Sequence, residues 1–382
     1  MRILVINGGS SSFKCRVDDL PNGPLPIAPP KPLWEKRVDW DQSSSVADVL
    51  EPVLKSLPGA VDVVGHRIVH GGPVYRETTA LTAEVRAAIA KEIEFAPAHN
   101  RFELEAVQAV DGFLGSSVLQ IAVFDTGFHS TLTPDAYVYP GPYAWLEQGI
   151  RRYGFHGINH QYASRRAAEV LGADSTSLKL IVCHLGNGAS LAAVRGGQSV
   201  DTTMGFTPLE GLMMGTRCGS IDPGILVYLI RHRGSTAEEL DEIMNRKSGL
   251  LGVSGISGDM RKIESAIDAG NQRAQVAVDV YVHRLLRELG AMLAVLGGAD
   301  AIIFTGGVGE NSAGLRERVC SNLGFLGLKL DATKNARTGA DQDIAASDSR
   351  VRVLVIRAQE EWEIARECHL LTRAAQQPLY LR

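Results

Sequence analysis

The apolar run Met1-Arg2-Ile3-Leu4-Val5-Ile6 stops at Asn7-Gly8-Gly9-Ser10-Ser11-Ser12, and Phe13-Lys14 follows. This pattern predicts a buried strand feeding a tight, donor-rich turn. Its glycines let main chain approach an anion, its serines offer hydroxyl and amide donors, and Lys14 adds a cation. The device recurs twice. Leu180-Ile181-Val182-Cys183-His184-Leu185 runs into Gly186-Asn187-Gly188-Ala189-Ser190, and Leu191-Ala192-Ala193-Val194 resumes the strand pattern, predicting a hairpin with a glycine-rich tip. Ala301-Ile302-Ile303-Phe304 runs into Thr305-Gly306-Gly307-Val308-Gly309-Glu310-Asn311-Ser312, where the turn predicts the opening of a helix. Free amides at a helix start favour an anion or nucleotide. One glycine-rich turn is common in α/β proteins; three, each ending an apolar strand, point to nucleotide binding. No Gly-x-x-x-x-Gly-Lys-Ser/Thr string occurs, and the protein-kinase motif set is missing, so the phosphates are held in another way.

Outward from these turns the chain reads as α/β. Val61 to Val64 reads as a strand ending in Gly65-His66-Arg67-Ile68-Val69-His70-Gly71-Gly72, and Gln120 to Phe124 as one ending in Asp125-Thr126-Gly127. Helical spacing covers 83–94 and 102–113, and covers 46–57 with Pro52 as a flaw. The proline-rich stretch 21–32 predicts a surface excursion. A second round of strands and helices from Leu180 predicts a duplicated layout with a cleft between the halves.

With 382 residues, 45% of them hydrophobic, the chain is long enough for two domains. Its 39 basic and 43 acidic residues form no basic block, which argues against nucleic acid or a membrane surface as partner. The longest apolar helix candidate, 276–296, carries Asp279, His283, Arg284, Arg287 and Glu288, so it reads as amphipathic. Asn7 interrupts the first strand too early for a signal peptide, and a cytoplasmic location is expected. The five cysteines are scattered without a Cys-x-x-Cys pair, which argues against a disulfide framework or a zinc site, and Cys183 and Cys218, inside candidate motifs, read as small buried side chains.

Taken together, 7–14, 65–72, Ala96-Pro97-Ala98-His99-Asn100, 124–129, Arg152-Tyr153-Gly154-Phe155-His156-Gly157, 183–190, 201–217 and 305–312 resemble the acetate kinase family of the actin, Hsp70 and sugar-kinase superfamily. The resemblance implies duplicated ribonuclease-H-like domains, residues 1–127 plus 363–382 and residues 128–362, with a nucleotide cleft between them. It implies reversible transfer of the ATP γ-phosphoryl group to acetate by a direct in-line path, and a homodimer.

By the same resemblance Arg67, Asp125, His156 and Arg217 are the catalytic candidates. Val69, Ala98, His99, Phe155 and Pro208 are expected with Arg67 at the carboxylate. ATP or ADP would be held by Ser10, Ser12, Lys14, His184, Leu185, Gly186, Asn187, Gly188, Asp259, Met260, Arg261, Gly307, Val308 and Asn311. Magnesium, with manganese as the substitute, would be held by Asn7, Asp125 and Glu360, with Glu361 the rival to Glu360 because the family's flanking residues are not kept in Arg357-Ala358-Gln359-Glu360-Glu361-Trp362. Ala98 stands where the family has leucine, and Asn100-Arg101-Phe102 departs from the usual Asn-Pro-Ala, which keeps a propionate or butyrate kinase as the alternative. Ser220 replaces a usual aspartate near Arg217.

Overall fold

Strand β1, Arg2–Gly8, and strand β2, Ser12–Asp19, form an antiparallel hairpin in register from Arg2 opposite Asp19 to Gly8 opposite Phe13. The computed structural model describes residues 1–9, 12–40, 44–91, 100–337, 339 and 341–376. The first sheet adds β3 (Trp34–Asp39), β4 (Val63–Ile68), β5 (Thr79–Ala80) and β6 (Leu119–Phe124) in the order β3-β2-β1-β4-β6-β5. Strands β1, β4 and β6 run parallel, so their carboxyl ends gather at one edge of the sheet. Such an edge is where open α/β sheets place ligands.

One face of this sheet packs Leu4, Ile6, Phe13, Cys15, Val17 and Val64 against Leu50, Val53, Leu54, Ala106 and Val110 of the helices Val46–Lys55 and Asn100–Leu114. The other face meets the helix Glu360–Gln376. That approach is close: a Cβ on Gly65 would lie 2.5 Å from Cys368 Sγ and 2.9 Å from Ile364 Cγ2. Gly65 therefore lets the C-terminal helix lie flat on the sheet rather than ending the strand. The strand expected over 61–64 instead starts at Val63 and runs on to Ile68, because β1 and β6 pair it from both sides. Arg67 thus stands on a central strand, not in a loop.

The second sheet consists of β7 (Lys179–Leu185), β8 (Ala189–Arg195), β9 (Gln198–Thr202), β10 (Ala301–Thr305), β11 (Gln342–Asp343) and β12 (Arg352–Val355). Its order, β9-β8-β7-β10-β12-β11, repeats the first sheet strand for strand, with β7, β10 and β12 parallel. The duplication read from the glycine turns is a duplication of topology. The chain divides into one unit of Met1–Ser130, His156–Tyr162 and Gln359–Arg382, and another of Thr131–Phe155 and Ala163–Ala358.

The helix Val46–Lys55 accommodates Pro52, with Ser45 capping its start by accepting from the Asp48 amide at 3.1 Å. The proline-rich stretch 21–32 contains neither helix nor strand. The helix Gln272–Leu296 buries Val278, Tyr281, Leu285, Leu289 and Leu296 on one stripe, exposes Asp279, His283 and Arg287 on the opposite side and leaves Arg284 and Glu288 half-buried at the flank, as its amphipathic pattern requires. No helix among the described residues is long and apolar enough to cross a membrane. Cys15, Cys183, Cys320 and Cys368 are buried free thiols, and Cys218 is half-buried.

Candidate active site

In the first unit the polar groups stand where β1, β4 and β6 end. Arg67, near the end of β4, donates from Nη1 to the Gly8 carbonyl at 3.0 Å and from Nη2 to Asp125 Oδ2 at 2.8 Å. Asp125 follows β6 directly and is 1% exposed. Its Oδ2 also accepts from the His156 amide at 3.1 Å, and its carbonyl accepts from the Gly157 amide at 2.7 Å. A Cβ on Gly157 would lie 2.3 Å from that carbonyl, so glycine is required there. Asp125 Oδ1 and Arg67 Nε are buried without hydrogen-bond partners. Burial alone would lower the Arg67 pKa, but Asp125 and Glu360 more than offset it and hold the guanidinium charged above its ordinary range.

His156 has φ of +58°, and it is the one non-glycine among the described residues on the positive side. A β-carbon in this region carries a strain cost and persists where the surroundings impose it. Here the imposition is visible, since the amides of His156 and Gly157 both serve Asp125.

The first turn of the helix Glu360–Gln376 brings two carboxylates to the same sheet edge. Asn7 Nδ2 donates to Glu360 Oε2 at 3.0 Å and to Glu361 Oε1 at 2.9 Å. Glu361 Oε1 also pairs with Lys14 Nζ at 3.3 Å. Glu361 is thus committed to Lys14 and Asn7, whereas Glu360 bonds Asn7 and adds to the field on Arg67. His66, Gln120 and His70 fill the interior beneath; burial pushes both imidazoles down to about 4, and His66 Nε2 meets Gln120 Oε1 at 2.7 Å.

In the second unit the β7–β8 hairpin closes through the Gly186 amide, which donates to Gly188 O at 2.9 Å. His184 and Leu185 end β7. The Gly215 amide donates to Asn187 O at 3.2 Å, and a Cβ at Gly215 would lie 2.7 Å from Asn187 Oδ1 and 2.9 Å from Gly258 O. The hairpin tip, the segment carrying Arg217 and the segment leading to Asp259 therefore meet main chain to main chain at one point. Arg217 Nη1 donates to the Pro208 carbonyl at 2.9 Å. The stretch between is braced by Arg152, which donates to the carbonyls of Thr202, Thr203 and Met204 and to Glu210 Oε1 at 2.8 Å. Tyr139 bonds the other oxygen of Glu210.

Asp259 caps the helix Met260–Asp268 and chelates the exposed Arg261, while Met260 itself is buried. The third glycine turn opens the short helix Gly306–Asn311, with Gly307, Val308 and Asn311 on it. Gly306, at φ +78°, sits on the end of β7, where an added Cβ would lie 2.9 Å from Leu185 O. Glu310 Oε1 accepts from the amides of Gly306 and Ala358, each at 2.9 Å, tying this turn to the segment after β12.

Thus the structure groups Asn7, Arg67, Asp125, His156 and Glu360 in one unit, with Lys14 beside them. It groups His184, Leu185, Gly186, Asn187, Gly188, Pro208, Arg217 and Asp259 in the other. Ser12 starts β2, and Val69 and Phe155 are buried. Ser10, Ala98 and His99 lie outside the described residues. Sequence reasoning missed Asn100, Glu103, Arg152, Glu210, Glu310 and Arg316. Two of these carried a signal: Glu103 shares the inward helical stripe of Ala106, Val107 and Val110, and Arg316 that of Val319 and Cys320. A charged residue on an apolar stripe is buried for a reason. A cavity between the helices Val46–Lys55 and Asn100–Leu114, lined by Leu54, Ala109 and Phe113, touches none of the candidate site residues.

A sequence profile described as the acetokinase family matches residues 39–366. An acetate kinase of Gloeobacter violaceus is 54% identical over 96% of this chain and 98% of its own length. The crystal structure of Porphyromonas gingivalis acetate kinase superposes with a TM-score of 0.86 at 38% identity, covering 97% of this chain and 99% of that one. A propionate kinase from Francisella tularensis superposes with a TM-score of 0.86 at 34% identity, covering 96% and 98%.

Proposed function

The chain belongs to the acetokinase family, and from that membership we propose how its residues perform the transfer of the ATP γ-phosphoryl group to acetate, giving acetyl phosphate and ADP. The observation that carries the assignment is the 54% identity to an acetate kinase over nearly the whole of both chains. The propionate or butyrate alternative rested on Ala98, and the propionate kinase stands at the lower identity of 34%.

Acetate is ionised at neutral pH, its pKa being close to the ~4 of a side-chain carboxyl, so the reaction needs no general base. It needs charge neutralisation and alignment. Arg67, charged and fixed by Asp125 and Gly8, is suited to grip a carboxylate and a phosphoryl oxygen with its planar fork. Arg217, fixed by Pro208 O, brings the second guanidinium. His156, whose main chain Asp125 pins, donates to the transferring phosphoryl oxygens as negative charge is redistributed. His184 and the hairpin tip hold phosphates, and the segments at Asp259 and Gly307 hold the adenosine.

Magnesium fits the first unit. Asp125 keeps a buried oxygen unpartnered, Glu360 supplies a second carboxylate, and Asn7 orients it. No cluster of three or more His, Cys, Asp or Glu side chains suited to a metal occurs among the described residues, and magnesium does not require one, since it keeps waters and binds through substrate phosphates. When bound it would neutralise phosphate charge. The commitment of Glu361 to Lys14 favours Glu360 for this role.

A cytoplasmic homodimer completes the proposal. The helix Pro223–Arg233 has no buried residue, yet exposes Ile225, Val227, Tyr228 and Ile230, about half of each side chain being accessible (47%, 45%, 50% and 50%). A helix with this much apolar surface exposed calls for a covering surface, and a second copy is the one proposed.

The test is trapping of acyl phosphate as its hydroxamate with ATP and acetate, before and after chelation of divalent cations. Activity restored by magnesium supports the reading; activity unaffected by thorough chelation contradicts the metal role.

A further inference from the structure

The segment Val69-His70 follows Arg67 and leaves the sheet, and the helix Asn100–Leu114 holds it from outside. The Val69 amide donates to Glu103 Oε2 at 2.9 Å. One turn earlier on the helix, Asn100 grips His70 twice: its Oδ1 accepts from the His70 amide at 3.2 Å, and its Nδ2 donates to the His70 carbonyl at 3.0 Å. The Gly72 amide in turn donates to His70 Nδ1 at 2.8 Å. Asn100 is fully buried, and Glu103 is 5% exposed with Oε1 lacking any hydrogen-bond partner. Three main-chain groups of Val69 and His70 are therefore fixed by two side chains that none of the assigned roles uses.

We infer that Glu103, with Asn100, is a positioning residue for the acceptor: it holds the Val69-His70 main chain, and through it the apolar wall and the Arg67 fork against which the carboxylate is seated. This rests on the reading that Arg67 and Val69 face acetate. A buried acid so close to a site that gathers anions must not add a charge of its own. Burial, opposed by Arg67 and the Val69 amide and reinforced by Asp125, pushes the Glu103 carboxyl up to about 8. At neutral pH it is protonated, holding main chain without repelling acetate.

The experiment compares the full chain with Glu103→Ala and Glu103→Gln, measuring KM for acetate, KM for ATP and kcat by hydroxamate trapping. Glu103→Ala raises the acetate KM about tenfold or more while the ATP KM stays within about twofold, because only the acceptor wall is released. Glu103→Gln retains an oxygen that can accept from the Val69 amide and returns the acetate KM to within about threefold of the unmodified chain. If Glu103→Ala fails to fold, Glu103→Asp, one methylene short of Val69, takes its place with the same expectation. Equal shifts in both KM values, no shift in either, or a glutamine variant as impaired as alanine would each overturn the inference. An unmodified chain that forms no acyl phosphate would overturn the underlying reading instead.

Discussion

Asp125 binds Arg67 through one carboxylate oxygen, Oδ2 at 2.8 Å from Nη2, and keeps the other oxygen buried with no hydrogen-bond partner. The same Oδ2 receives the His156 amide. One side chain therefore fixes the guanidinium, pins the backbone at the histidine and keeps a buried oxygen that the proposed magnesium would take. Replacing it separates these roles from simple packing. Asp125→Asn, nearly the same size, lowers kcat by about 100-fold or more by removing the charge that holds Arg67 and the metal oxygen. Steady-state kinetics with a magnesium titration checks this, with the apparent magnesium affinity weakened as well.

His156 offers a stability test that activity cannot confound. At φ +58° an alanine keeps the strain and a glycine releases it. His156→Gly is therefore more stable than His156→Ala by about 1 kcal/mol, although both lose the imidazole and most activity. Denaturant midpoints of the two variants measure the difference.

Arg316 is fully buried and donates to the carbonyls of Gly309, Glu310 and Asn335 and to Asn335 Oδ1, with no carboxylate partner among the described ion pairs. It holds the end of the helix carrying Gly307 and Val308. Arg316→Met leaves these acceptors unpaired and costs about 2 to 4 kcal/mol. It raises the ATP KM and leaves the acetate KM nearly unchanged, the reverse of the split for Glu103→Ala.

Stability should also report on Glu103. A carboxyl raised from its ordinary value near 4.5 to about 8 binds its proton more tightly in the folded state. Its contribution is full below pH 4.5 and is lost as pH rises through 8, by about 5 kcal/mol at most. Glu103→Gln removes this component. The stability of the unmodified chain minus that of the variant therefore falls between pH 5 and 8, where denaturant titrations at several pH values can follow it.

The glycine turns and the duplication were legible because strand-to-turn transitions are local in sequence, whereas the association of Asn7 and Asp125 with the C-terminal glutamates, 353 and 354 residues from Asn7, was implied by the family resemblance alone. The full length of β4 was not. Gly65 reads as a break, and only the 2.5 Å approach of Cys368 reveals it as a packing surface. Pro52 likewise reads as a flaw, yet the helix Val46–Lys55 runs through it because Leu50, Val53 and Leu54 are buried on the sheet. Glu103, Glu310 and Arg316 act on main chain 34, 48 and 19 residues away, and such pairings are set by topology.

The apolar helix Pro223–Arg233 gives a prediction about assembly. Tyr228→Glu together with Ile225→Glu places charge on side chains that are about half accessible in the isolated chain. The pair converts the proposed dimer to a monomer in sedimentation velocity without unfolding it.

The most direct measurement is kcat/KM for acyl phosphate formation with acetate, propionate and butyrate at saturating ATP and magnesium. The account predicts the highest value with acetate, with each added methylene lowering it, by about 1 to 3 kcal/mol in transition-state terms. An optimum at propionate or butyrate, or no acyl phosphate with any of the three, would contradict it.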